Sequence, residues 1–492
     1  MAKTTYSTPL PFVPKPLLFL ILFSLSTLTL FHRSCLAQLE LQKPQLYGDH
    51  QPRRLHRGFR TECRIDRLRA LKPTRSVQSE AGETEYYDQD NKQLQCVGVA
   101  VIRLTIHLRG LLVPSYTNAP QLIHILQGRG ILGIVIPGCP ETYESSSWSQ
   151  QKGKEGRQQY RDRYQKPRRV REGEVVALPV GVVYYLYNDG EEDLVVAKIL
   201  DTSNDANQLD PRAKSFYLAG YPRKEGERGE EKTERERVFA GLGKELLGEA
   251  FDTRTRLTEK LQGKADADEY GIIVYIEEQE LRLLAPETQR EEEEDKDDNS
   301  NGLEENICTL RLQENLARPS RADLFNPRGG RVATSNSHTL PILKSLRLNA
   351  QNVVLYKNAI VGPHYQMNAH SVVYVRRGSG RVQVVGDSGK TVFDGEIEKG
   401  EVLVIPQNFV SLTKASDSGL EYVAVKTNDN AMETPLAGEF SVFRSLPVGV
   451  LSASYDISRE DAQSLKENRR EQTIFGPRST RERDHNERRA DV

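Results

Sequence analysis

Sulfur is scarce in this chain. Its 492 residues hold five cysteines, three methionines and one tryptophan. No Cys-x-x-Cys pair occurs, so a zinc knuckle or a dithiol redox centre lacks its ligands. Net charge is missing too: 68 basic residues stand against 69 acidic ones, and the arginines are spread along the chain rather than clustered. That balance argues against nucleic acid as a partner, and against a polybasic membrane contact. There is no Asn-x-Ser/Thr sequon, so N-glycosylation is not expected. No Gly-rich phosphate loop ending in Lys-Ser/Thr is present, and no nucleophile–base motif stands out. Beyond the N-terminal region no apolar run is long enough to span a bilayer.

What is present begins with that N-terminal region. Lys3 and Lys15 precede the apolar run at 16–25, and Cys35-Leu36-Ala37 follows. Basic residues, an apolar stretch and a small-x-small ending predict a secretory signal peptide over 1–37. The expected cut falls after Ala37, so Gln38 opens the mature chain. Loss of Cys35 leaves Cys63, Cys96, Cys139 and Cys308, an even set suited to an oxidising compartment. Four cysteines allow three pairings, and their spacing does not choose among them.

The rest reads as all-β. Val- and Ile-rich segments at 96–106, 122–126, 131–136, 175–178 and 194–200 are punctuated by Gly and Pro, as in a barrel or sandwich. The polar insert at 145–169 reads as a disordered surface loop. Val238, Leu242, Leu246, Leu247 and Phe251 recur at helical spacing. Residues 264–301, ending in the acidic run 291–300, predict a disordered linker, and 469–492 a charged disordered tail.

An internal repeat organises these pieces. Residues 116–130 match 366–380, sharing Asn118/Asn368, Ala119/Ala369, Gly128/Gly378 and Gly130/Gly380. Gly173-Glu174-Val175-Val176-Ala177-Leu178-Pro179 matches Gly400-Glu401-Val402-Leu403-Val404-Ile405-Pro406. The offset falls from 250 residues to 227 between the two matches, about the length of the polar insert. One fold therefore occurs twice, with an extra loop in the first copy. Each glycine-bracketed unit reads as a hairpin.

Two resemblances add a family. Asn301-Gly302-Leu303-Glu304-Glu305-Asn306-Ile307-Cys308-Thr309 resembles the processing signature of legumin-type (11S) seed storage globulins. The paired motifs resemble the two cupin motifs; Pro179, Gly181 and Asn188 match the second one in the first copy. The implied fold is two cupin jelly-roll barrels, about 68–263 and 314–463, each with a short helical extension. The implied processing is a cut at Asn301-Gly302 by an asparaginyl endopeptidase, giving an acidic chain 38–301 and a basic chain 302–492. The implied disulfides are Cys63–Cys96 and Cys139–Cys308. The implied partners are the chain itself or related globulin subunits, in trimers and then hexamers. The implied destination is the protein storage vacuole of a seed.

Enzymatic cupins hold a divalent metal with three His and one Glu. Here those positions fall on Pro114, Tyr116, Gln121 and Tyr184, and on His364, Gln366, Ser371 and Ser411. Only His364 is a ligand of the required type. No catalytic residue, metal or other cofactor is therefore expected. A storage protein is the reading. The alternative is a metal-dependent bicupin oxidoreductase or decarboxylase.

Overall fold

Alternation along each strand decides what every side chain meets. The chain divides into two units, residues 1–52 and 53–492. The computed structural model describes, within the second, residues 65–141, 143–148, 159–220, 237–263, 271–277, 308 and 310–477. In the first barrel the strands are β1 (Arg75–Ser79), β2 (Gly82–Tyr86), β3 (Val99–Ile106), β4 (Gly110–Thr117), β5 (Gln121–Gln127), β6 (Arg129–Val135), β7 (Tyr143–Trp148), β8 (Gln159–Tyr164), β9 (Arg168–Arg171), β10 (Glu174–Leu178), β11 (Val183–Tyr187), β12 (Leu194–Asp201), β13 (Ser215–Tyr217) and β14 (Ile273–Tyr275). Strand β15 (Gln313–Asn315) follows. The second barrel has β16 (Leu324–Asn326), β17 (Gly330–Ser335), β18 (Asn349–Leu355), β19 (Ile360–Gln366), β20 (Ser371–Val385), β21 (Thr391–Glu398), β22 (Val402–Ile405), β23 (Val410–Lys426), β24 (Glu433–Pro435) and β25 (Ile474–Phe475).

One sheet of the first barrel runs β1-β2-β3-β12-β5-β10-β15 and the other β13-β4-β11-β6-β9, with β14 also on β4. The second barrel is one continuous ten-stranded sheet. Its alternation divides side chains between two cores. Val373, Val375, Leu403, Ile405 and Ala424 fill its own interior. Val372, Tyr374, Val402, Val404 and Val425 point the other way, into a core shared with the first barrel. Every residue of β10, β12 and β22 is buried. Such strands must be apolar on both faces, hence the unbroken runs at 194–197 and 402–405.

The repeat is visible strand for strand, down to its glycines. Gly128 and Gly378 both have positive φ (81° and 72°), and a Cβ on either would strike a facing carbonyl, of Asp193 or of Gly419. They do not make the expected hairpin. Each marks a bend: β20 continues through Gly378 with a register shift inside its one sheet, and its counterpart breaks into β5 and β6, which lie in different sheets.

The starts of the two repeats are exchanged. Leu71 pairs with Val402 of the second barrel, and the Leu68 N–H donates to Val392 O at 2.8 Å. At the start of the second repeat, β15 pairs with β10 of the first barrel, and buried Leu312 and Leu316 flank it. Each barrel is thus completed by an arm of the other. The expected linker and tail begin too early. Residues 273–275 form β14, and buried Ile474 and Phe475 form β25 on β19. Backbone pairing and one or two apolar side chains hold these segments, which composition alone does not reveal.

Three further corrections are local. Cys96 and Val97 lie in helix α1 (Lys92–Val97), not in a strand: the Asn91 side chain caps its start and Gly98, with φ 65°, ends it. The polar insert is a hairpin of β7 and β8 where it is described. The apolar pattern at 238–251 makes a helix only from Lys244, as α2 (Lys244–Ala250) followed by α3 (Thr255–Leu261). After a short α4 (Leu343–Leu346), the second barrel carries α5 (Val442–Ser445), α6 (Val448–Tyr455) and α7 (Arg459–Glu467) at the matching place.

Between the barrels lies Arg376, 2% exposed. It donates to Glu421 at 2.7 Å, to Glu172 at 2.8 Å and to Leu126 O at 3.2 Å. His124 of β5 is buried nearby, and neither of its ring nitrogens has a hydrogen-bond partner. Burial, and then the Arg376 guanidinium, hold its imidazole well below the ordinary 6.5. The folded chain thus binds fewer protons here than the unfolded chain, so folding weakens as pH falls below 6.5. His124→Leu should remove that dependence. Relative to the variant, the uncut protein should lose up to about 1.4 kcal/mol per pH unit below that point. Urea unfolding of both proteins from pH 7 to pH 5 measures this, and parallel curves would refute it.

Candidate functional site

The second barrel gathers its four metal-ligand positions around one cavity, whereas in the first the strand register separates them. In the first barrel Pro114 and Tyr116 lie on β4, Gln121 opens β5 and Tyr184 lies on β11, opposite Ser115 of β4. Pro114 has no donor atom. Tyr116 stacks on Phe216 of β13, ring centroids 5.0 Å apart. Gln121 and Tyr184 are buried, and their polar ends have no partner. The Lys198 ammonium, from β12, stands 5.3 Å from the Tyr184 ring centroid.

In the second barrel His364 lies opposite Ser411, Gln366 opposite Glu433 and Ser371 opposite Lys426. With Thr413 and Tyr422 these residues line a cavity of about 20 Å³, room for roughly one water. Glu433 accepts from Lys426 Nζ at 3.1 Å and from Gln366 Nε2 at 2.9 Å. Burial works to raise its carboxyl, but His364, Lys426 and Gln366 outweigh it and bring it down to about 2. His364 donates from Nδ1 to Gly362 O at 2.9 Å, and its Nε2 lies 3.4 Å from Ser411 Oγ. One imidazole, a carboxylate already neutralised and an ammonium in the same space do not make a site for a divalent ion. Among the described residues no group of three His, Cys, Asp or Glu is placed to hold one. The donor set thus argues against the metal-dependent alternative. The other two motif histidines lie elsewhere: His124 between the barrels, and His370 accepting from Gln407 N–H at 3.1 Å.

Motif positions alone missed Lys198, Lys426 and Glu433. The lysines left a trace, a single cation inside each of the apolar runs 194–200 and 420–426. Glu433 left none.

The second site is the cut region. Asn301 and Gly302 lie outside the described residues, as do Ala37, Gln38 and Cys63. The chain leaves the first barrel after β14, beside β4, and is tied back to it by the Cys139–Cys308 disulfide, Cα atoms 5.4 Å apart. Cys139 follows the end of β6, and residues 313–315 then enter the other sheet of the same barrel. Cys96 is also disulfide-bonded, to a cysteine outside the described residues.

Two barrels with degenerate metal positions, joined back to back, define a bicupin scaffold. Comparisons agree. The cupin family model matches residues 68–224 and 314–463. The chain is 46% identical to 11S globulin subunit beta of Cucurbita maxima over 474 residues, covering 93% of this chain and 97% of that one. It is 46% identical to cocosin 1 of Cocos nucifera over 461 residues, with the same coverage. The solved recombinant pro-11S globulin of pumpkin superposes with a TM-score of 0.74 at 47% identity, covering 85% of this chain and all of that one. The chain belongs to the 11S globulin seed storage proteins of the cupin superfamily.

Elemental analysis of the dialysed protein should find manganese, iron and zinc far below one ion per chain. A near-stoichiometric metal that survives dialysis would contradict the donor chemistry above.

Proposed function

We propose that this globulin is a non-enzymatic reserve of nitrogen and amino acids, carried through the secretory pathway to the seed's protein storage vacuole. Removal of residues 1–37 leaves a precursor that an asparaginyl endopeptidase cuts between Asn301 and Gly302. The products are residues 38–301, with 40 basic and 46 acidic residues (net -6), and 302–492, with 25 and 23 (net +2). Cys63–Cys96 lies within the first, and Cys139–Cys308 joins the two. Nucleic acid and membrane have no part in this reading. No described helix is long and apolar enough to cross a membrane.

The observation that carries the reading is where the chain re-enters the fold. Both described ends of the cut region sit on the first barrel, and the first strand beyond it, β15, belongs to that barrel's sheet. Among the described residues, no strand pairing or core contact would be removed by a cut between them. Assembly draws support from the extensions. Leu246 (71% exposed) and Phe251 follow the first barrel, and Phe440 (68% exposed), Val450 and Tyr455 follow the second. Large apolar side chains left in water at matching places suit contacts between copies of this chain or related subunits.

Asn301→Ala should leave the precursor uncut and trimeric, because an uncut linker on the stacking face would keep two trimers apart. Sedimentation showing hexamers of the uncut variant would refute the link between cleavage and stacking. Cut Cys308→Ser protein should run as two bands on a non-reducing denaturing gel, whereas Cys63→Ser should run as one. Without denaturant the Cys308→Ser halves should stay together, held by β15 and the shared core. A single denatured band from cut Cys308→Ser would overturn the pairing.

A further inference from the structure

The two barrels resolve the same electrostatic problem differently. In the second, the buried Lys426 ammonium has a protein counter-ion, Glu433, at 3.1 Å. In the first, Lys198 is 5% exposed, and among the described residues no carboxylate pairs with it. Its ammonium stands 5.3 Å from the centroid of the Tyr184 ring. A cation–π contact compensates a buried charge less fully than a counter-ion does. Around the same lysine, both amide atoms of Gln121 and the Tyr184 hydroxyl are buried without partners. A buried polar group left unmet carries its full desolvation penalty.

These groups converge. Gln121 and Tyr184 occupy two of the positions that close on a metal in enzymatic cupins. In the pairing of β5 with β12, Gln121 faces Leu200 and Ile123 faces Lys198, so Lys198 is the diagonal neighbour of Gln121 on one face. We propose that the interior of the first barrel holds a single small anion of chloride size. Lys198 Nζ supplies the charge, and Gln121 Nε2 and the Tyr184 hydroxyl donate hydrogen bonds. An ammonium in the pocket repels a cation, so the site has the opposite sign to that of a metal-binding cupin. All three residues are buried, so the anion must be small enough to sit among them.

In the second barrel Glu433, opposite Gln366 on β19, closes the charge balance. The residue opposite the matching Tyr116 of β4 is Phe216, which stacks on it at 5.0 Å and offers no carboxylate. Tyr184 lies opposite Ser115, the neighbouring residue of β4, so it shares a face with Ser115 rather than with that stack.

Bromide is the probe. Crystals of the full chain transferred to sodium bromide should show an anomalous peak among Lys198, Gln121 and Tyr184, with none in the second barrel. Thermal unfolding at equal ionic strength should give a higher midpoint in chloride or bromide than in gluconate. Lys198→Met should abolish both the peak and the halide effect. Gln121→Glu should do the same by placing a carboxylate beside Lys198, which keeps the test decisive if Lys198→Met fails to fold. No interior peak, equal midpoints in halide and gluconate, or a halide effect unchanged in Gln121→Glu would each overturn the proposal.

Discussion

Neither barrel can be completed from its own repeat. Each places a strand, β10 or β22, at the end of a sheet, and the missing neighbour comes from the start of the other repeat. An unpaired strand edge is open to non-native partners. Reciprocal exchange removes both edges and commits the two barrels to one another. Leu71 and Glu314 occupy matching places: they face Val402 and Val175, which the repeat aligns. The exchange is therefore a property of the duplicated unit, not an accident of one junction.

Everything between the barrels follows from that commitment. The faces brought together carry Val372, Tyr374, Val402, Val404 and Val425 on one side and the wholly buried β10 and β12 on the other. Arg376 is the only buried guanidinium among the described residues, and it links Glu421 of its own barrel to Glu172 and a backbone carbonyl of the other. Removing one partner of such a buried pair costs about 3–5 kcal/mol, because the other charge is then left without compensation. The interface therefore sets register as well as burying apolar surface. The proposed cut would fall in a segment on which none of this depends. A disulfide across 169 residues constrains an intact chain through its closed loop. After a cut it could only keep unfolded halves from parting.

The sequence made the duplication legible because strand period, paired glycines and strand-ending prolines are local signals. Gly128, Gly378, Gly173 and Gly400 all adopt positive φ at matching points. The emptied ligand positions were legible for the same reason, since a motif numbers them. The exchanged arms were not. Residues 313–315 are Gln-Glu-Asn, three polar residues held by backbone hydrogen bonds that no composition betrays. Strand β25 is two apolar residues in a charged tail. The partnership of Lys426 with Glu433 was out of reach as well. It depends on β23 and β24 both flanking β19, a long-range fact of topology.

Loss of a metal from a barrel interior does not leave an apolar core in its place. The inward positions stay polar, and each polar group must then find a partner inside the protein or hold something that serves as one. In the second barrel the remedy is internal: Glu433, Lys426 and Gln366 satisfy one another, and the space that remains holds about one water. In the first barrel Phe216 stacks on Tyr116 at the matching register, and both amide atoms of buried Gln121 and the Tyr184 hydroxyl have no partner. Two copies of one fold have thus reached different ends from the same loss. What differs is whether the charge balance is closed by a side chain or by an ion from solvent.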